Sequence, residues 1–455
     1  MTSRCTAWRA AALACVAAFL LALPAGARAA LIFGPETPLL ADDGSPQAGI
    51  THLTDGRVLA VAGEHSGDAA PTYSLRSGPA GAWTSAAPIP GLSKGGRVVA
   101  RPLPGGGALV LHQWRDSNAK GHLESAELAP DGTWGPVQQI ADPGDLAQGG
   151  FGMVTDAAGN ADVVFVSTDA VYVRSVKVAS RPSGCAWGAP VTLLTAGLTT
   201  SYVGVAIASD PAGDAAAAMA VDSGTGQRVS VARRPAGATW PAAAPITDDA
   251  HIRSAPRVVV TPSGEAIVGW YERNADGETL GVRVVRAPAG AGFGPEEPVG
   301  GSQDGVADMA VIGGDVFLTT FQLVLQEDGQ PANRPGAVYR LAGATWSPEL
   351  TIPPDVDDSP RPTLVALADE RAAVSWAWEI QERTAIALRS SDGTWTRWSV
   401  PVAAADYPFA VLLGGWGAEP RFIFEIWLLH RVDDGAVVAA EAHGAPSVRL
   451  PRGRG

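Results

Sequence analysis

Cysteine is nearly missing from this chain, with three in 455 residues. Two of them, Cys5 and Cys15, lie in the first 29 residues, so once that segment is removed Cys185 stands alone and no intramolecular disulfide can form. A lone Cys beside Trp187 reads as a small packed residue. Charge is sparse too: Asp, Glu, Lys and Arg make up 17% of the chain, and acids outnumber bases 46 to 33. That balance opposes nucleic acid and anionic lipid headgroups as partners. The seven histidines are scattered without metal-ligand spacing, which argues against a zinc site. No phosphate loop and no Gly-x-Ser-x-Gly elbow occurs. Long apolar runs are confined to the start. The longest elsewhere, Phe422 to Leu429, is eight residues and contains Glu425, so no membrane span is expected.

The start has its own logic. Arg4 and Arg9 precede an apolar run from Ala10 to Leu23, and Ala27-Arg28-Ala29 supplies small residues around a cleavage point. Residues 1–29 therefore read as a secretory signal peptide, with a mature chain from Ala30. Losing Arg4, Arg9 and Arg28 takes the formal net charge from -13 to -16. The expected location is extracellular or in the cell envelope.

Glycine (54) and proline (36) are plentiful beside 46% apolar residues, which favours many short strands over long helices. An internal repeat organises them. A Gly-containing turn, an aromatic and a Pro-containing extended run recur at Trp83, Trp134, Trp187, Trp240, Phe293, Trp346 and Trp395, at intervals of 51, 53, 53, 53, 53 and 49 residues. Phe33 begins an eighth copy 50 residues before Trp83, and Phe33-Gly34-Pro35-Glu36 repeats as Phe293-Gly294-Pro295-Glu296. Each unit resolves into four strand-like runs; the clearest holds Arg257 to Val260, Ala266 to Tyr271, Leu280 to Arg286 and a strand opening at Phe293. Four strands per repeat of ~50 residues is the pattern of a β-propeller blade.

The unequal chain ends fit ring closure. Phe409 to Leu413, Phe422 to Leu428 and Ala436 to Glu441 supply three strands of a last blade, and Leu31 to Leu40 supplies the missing outer one. The expectation is an all-β protein: an eight-bladed propeller of four-stranded antiparallel blades closed by the N-terminal strand, with seven blades as the alternative. The propeller is placed at residues 30–443, followed by a C-terminal tail at 444–455. The recurring aromatics are expected to fill the wedges between blades.

The turns Asp131-Gly132-Thr133-Trp134 and Asp392-Gly393-Thr394-Trp395 resemble the Asp-box of sialidase-like propellers, which also lies between the third and fourth strands of a blade. The resemblance implies that architecture over nearly the whole mature chain. The spacing departs from the motif, since Asp and Gly are adjacent, and the Phe-Arg-Ile-Pro stretch of sialidases is absent.

Ligands of such folds sit on the face built from the outer-to-inner connections and the second-to-third loops. Acids gather there: Asp42, Asp142, Asp248, Asp304, Asp355 and Asp406 in the connections, and Asp116, Asp169 and Glu272 among the loops. Each has a plainer reading as a turn residue. Asp248, Asp249, Asp357 and Asp358 are the candidate ligands should a cation such as Ca²⁺ bind. Arg97, Arg257 and Arg361 each open an innermost strand and form the candidate ligand-binding set, suited to a carboxylate or sulfate. The competing assignment pairs Arg257 with Asp248 or Asp249, and Arg361 with Asp357 or Asp358. Tyr271 and Glu272 are the only catalytic candidates, for glycoside hydrolysis, although alternation along a strand points them to opposite faces. The function expected is a secreted binding module for a protein or carbohydrate ligand. A sialidase-like or other carbohydrate-active hydrolase, and a structural scaffold of an envelope assembly, are the alternatives.

Overall fold

The structure is a computed structural model. It describes residues 30–33, 37–40, 46–64, 69–78, 81–118, 120–141, 150–169, 173–195, 203–222, 226–274, 276–302, 304–325, 331–352, 362–366, 370–378, 383–401, 411–414, 425–431 and 437–445. The signal segment, Arg361, Asp357 and Asp358, the rim acids Asp42, Asp142, Asp355 and Asp406, and the tail from residue 446 lie outside the described residues.

Seven four-stranded antiparallel sheets follow one another along the chain, each meandering from an innermost to an outer strand. Their innermost strands are Pro46–His52 in blade 1, Arg97–Pro102 in blade 2, Phe151–Thr155 in blade 3 and Val203–Ser209 in blade 4. Ile252–Val260, Asp304–Ile312 and Thr363–Ala366 serve blades 5, 6 and 7. Each packs beside the next, and Val411–Gly414 sits between blade 7 and blade 1 to complete the ring. The fold is a β-propeller.

The regular blades number seven, the alternative count, rather than eight. A further sheet joins the chain ends: Val411–Gly414, Glu425–Arg431 and Val437–Ala445 form three strands, and two short strands, Ala30–Phe33 and Thr37–Leu40, both pair with Val437–Ala445. Its register runs from Ala30 opposite Ala445 to Leu40 opposite Val437. The repeat pattern anticipated one continuous outer strand here, as in the other units. The described parts of that strand, Ala30–Phe33 and Thr37–Leu40, both lie along this edge. Its last strand also runs two residues past the expected domain limit at 443.

The turns explain why each repeat folds back on itself. Between the first and second strands of blade 5, Gly264 has φ 75°, a conformation that favours glycine, and a Cβ there would meet Asp214 Oδ2 at 2.7 Å. The second strands are the most thoroughly buried. Ala215–Asp222 has six consecutive buried residues, because blades pack against both of its faces.

Six of the recurring aromatics fill wedges between blades. Trp134 packs between blades 1 and 2, Trp187 between 2 and 3, Trp240 between 3 and 4, and Phe293 between 4 and 5. Trp346 and Trp395 repeat this between blades 5 and 6 and blades 6 and 7. Three indoles also donate to the preceding blade: Trp187 to Ser125 Oγ at 2.8 Å, Trp240 to Asp162 Oδ1 at 3.0 Å and Trp395 to Glu349 Oε2 at 3.1 Å. Truncating a buried aromatic of this size costs about 3–5 kcal/mol. Cys185 differs from expectation. It is exposed, in a turn where its N–H donates to Pro182 O, because Trp187 turns toward blade 2 and leaves the cysteine at the surface.

Candidate functional site: a charge network at the loop end of blade 5

Blade 5 ends its second strand, Ala266–Arg273, on the face where outer-to-inner connections enter. Alternation sends Ala266, Val268 and Trp270 into the wedge with blade 4, and Glu272 continues that side at its loop end. Glu272 is only 3% exposed, and a buried carboxylate needs compensation. Two arginines and a histidine supply it. Arg253 Nη2 lies 2.9 Å from Oε1, His251 Nδ1 lies 3.0 Å from the same oxygen, and Arg283 Nε lies 3.2 Å from Oε2.

Arg253 is itself 3% exposed and ties the network to the connection before it. Its Nη2 reaches Asp248 Oδ1 at 2.9 Å and its Nη1 donates to Asp248 O at 2.7 Å. Its Nε is buried without an acceptor among the described residues. The Ala250 N–H and then Arg253 hold the Asp248 carboxyl below the usual carboxylate range. Glu296, at the start of the outer strand, is pushed the other way by burial, with the negative charge of Glu272 adding to it. The network opens to solvent at His251 and Asp248, while Glu272 and Arg253 form its floor. That arrangement offers fixed donors and acceptors side by side.

Glu272 is the sequence-predicted residue that belongs here, and Tyr271 does not join it. Tyr271 is buried on the opposite side, edge-on to Phe321 of blade 6 with ring centroids 6.1 Å apart, and the Arg273 guanidinium lies over its ring. The tyrosine therefore has no route to activation by that carboxylate.

Arg257 corrects the sequence reading twice. It lies inside the innermost strand instead of opening it, and it does not take Asp248 or Asp249 as partner. Its Nε donates to Ala307 O of blade 6 at 2.9 Å and its Nη1 to Pro256 O at 3.3 Å. The cause is a register irregularity between Ser254 and Arg257, which extends the strand back to Ile252 and gives Asp248 to Arg253. Burial raises the pKa of the nearby Asp308 carboxyl, and the Arg257 charge opposes that rise. Arg97 does open its strand, with its guanidinium 5.1 Å from the Phe151 ring centroid.

The rim acids within the described residues serve their own turns. Asp116 accepts from the Asn118 and Lys120 N–H groups, Asp169 from Val173 N–H, and Asp304 from Gly301 N–H and the Gln322 amide. Among the described residues no three His, Cys, Asp or Glu side chains gather as ligands for a metal ion. Arg253, His251, Arg283 and Glu296 escaped sequence reasoning. The signal available was the short spacing from Asp248 through His251 to Arg253.

No protein-family model and no curated protein matches this chain. Solved structures do share its fold. The BP39L lectin from Burkholderia pseudomallei superposes with a TM-score of 0.52 at 14% identity, over 79% of this chain and 99% of that one. A PL25 ulvan lyase bound to a saccharide gives 0.50 at 9% identity, over 89% and 95%. At these identities the likeness is one of architecture.

Proposed function

We propose that this chain is an exported carbohydrate-binding β-propeller that takes a saccharide on its loop face at blade 5. The observation that supports this reading best is the network around Glu272: buried charged groups with fixed geometry, open to solvent through His251 and Asp248. Sugars are recognised by such preorganised sets of donors and acceptors, which need no reordering on binding. A lectin and a polysaccharide lyase are among the proteins that share the architecture. Catalysis is not part of the proposal, because Tyr271 and Glu272 face apart.

Binding of the purified chain to a panel of immobilised neutral and acidic glycans tests it. At least one glycan should bind below millimolar concentration, and His251→Ala should weaken that binding roughly tenfold, about 1.4 kcal/mol. A panel with no binder at millimolar concentration overturns the reading. Turnover of a fluorogenic sialoside would replace it with the hydrolase alternative. Export follows from residues 1–29, and N-terminal sequencing of secreted protein should begin at Ala30.

A further inference from the structure

Six charged residues lie on the described innermost strands of the seven blades: Arg97, Arg101, Arg253, Arg257, Asp304 and Asp308. Four have their charges answered locally. Arg253 meets Asp248 and Glu272, Arg257 has the opposing charge of Asp308 nearby, and Asp304 is held by Gly301 N–H and Gln322. Arg97 and Arg101 of blade 2 have no such answer. Arg97 stands over the Phe151 ring and forms no ion pair or hydrogen bond among the described residues. Arg101 donates its Nε to Met153 O and its Nη1 to Ala100 O, both at 3.0 Å, and no carboxylate among the described residues pairs with it.

Both side chains point the same way. They are four residues apart on one strand, and both reach the innermost strand of blade 3, at Phe151 and Met153. At ~3.3 Å per residue their Cα atoms are about 13 Å apart along the groove between the two strands. Both keep solvent-accessible surface. The innermost strands of a propeller border its central channel, so both side chains stand beside it. Desolvation lowers the basicity of both guanidinium groups, with no nearby charge acting the other way.

Local sequence sharpens the point. The connection into blade 2, residues 89–96, contains Lys94 and no acid, while the connection into blade 3 carries Asp142 outside the described residues. Two cations that meet no carboxylate among the described residues leave a place for an anion from outside. A guanidinium fork matches the oxygens of a carboxylate or a sulfate.

We propose that the groove between the innermost strands of blades 2 and 3 is a subsite for the carboxylate or sulfate substituent of an acidic sugar, with Arg97 at its mouth and Arg101 behind it. This deepens the carbohydrate-binding reading and rests on it.

The test titrates the full chain with three oligosaccharides of equal length: one carrying glucuronate, one carrying sulfate and one neutral. At least one acidic oligosaccharide should bind roughly tenfold or more tightly than the neutral one, and that preference should shrink as salt rises. The two acidic arms show which substituent is taken. Arg97→Ala should abolish the preference and leave the neutral affinity unchanged, while Arg97→Lys should keep part of it. Arg101→Met should reduce the preference as well, and an unchanged melting temperature for Arg97→Ala excludes a folding cause. Equal binding of all three by the wild type, or a preference that survives Arg97→Ala, overturns the subsite but leaves carbohydrate binding intact. No binding of any of the three at millimolar concentration overturns both.

Discussion

Blades 2 and 5 both place two arginines on the innermost strand, and they treat them in opposite ways. Blade 5 surrounds Arg253 with Asp248 and Glu272 and leaves Arg257 within reach of the Asp308 charge. Blade 2 gives Arg97 an aromatic ring and Arg101 two backbone carbonyls, with no carboxylate for either among the described residues. The same residue type thus has two physical roles. In blade 5 it neutralises a buried acid and fixes the loop end. In blade 2 it leaves positive potential on a channel wall. Position on a shared scaffold does not decide which role is taken; the acids delivered by the preceding connection do.

The most damaging way to break this contrast is Glu272→Ala. It strands Arg253 in a buried site with one carboxylate fewer, and removing one partner of a buried pair costs about 3–5 kcal/mol. Chemical denaturation should show that loss, whereas a change under about 1 kcal/mol would mean that the blade 5 network is as dispensable as a surface pair.

A nearly equal effect comes from a third way of holding an ionisable group inside, which is to keep it uncharged. Burial, helped by Arg76, lowers the His52 pKa to about 4. The unfolded chain binds that proton near pH 6.5, so it holds more protons than the folded chain between those values. Stability should therefore fall as pH drops from 6.5 toward 4, by up to about 3 kcal/mol at 1.36 kcal/mol per unit. His52→Gln should flatten that part of the stability profile, and an unchanged slope would sink the assignment.

Smaller still is Arg101→Met. It removes two hydrogen bonds to carbonyls and relieves an uncompensated charge, so the two effects should cancel to within about 1 kcal/mol. A loss of the size seen for Glu272→Ala would show that Arg101 is paired after all. Arg97→Ala should move stability least, by about 0.5 kcal/mol or less, as expected at an accessible site.

How much of this was legible in the sequence depends on the range of the interaction. The repeat, the strand order and the aromatic anchors could be read because each is set within ~50 residues and recurs. The joining of the chain ends could be read too, because a spare strand at one end matched a missing strand at the other. The charge network shows the limit of such reading. One register irregularity between Ser254 and Arg257 hands Asp248 to Arg253, and no composition or periodicity announces such a slip. Glu272 was visible as an acid near a loop, but its partners Arg253 and Arg283 lie on two other strands of blade 5. Cys185 was misplaced for a related reason: adjacency to Trp187 in sequence says nothing about which way the turn carries each side chain.

The sheet that holds both ends sets the order in which this molecule can be finished. Ala30 pairs with Ala445, so the first strand described here has no partner until about 400 later residues have been made. Every blade between them is stitched from neighbours in sequence, whereas this contact spans the chain and carries the largest loop-closure entropy in the fold. Assembly therefore resembles a bracelet whose links form one by one and whose clasp shuts last. A chain broken off before Val437 would keep its links but lose the clasp, leaving an open arc with an unpaired edge at its N-terminal end.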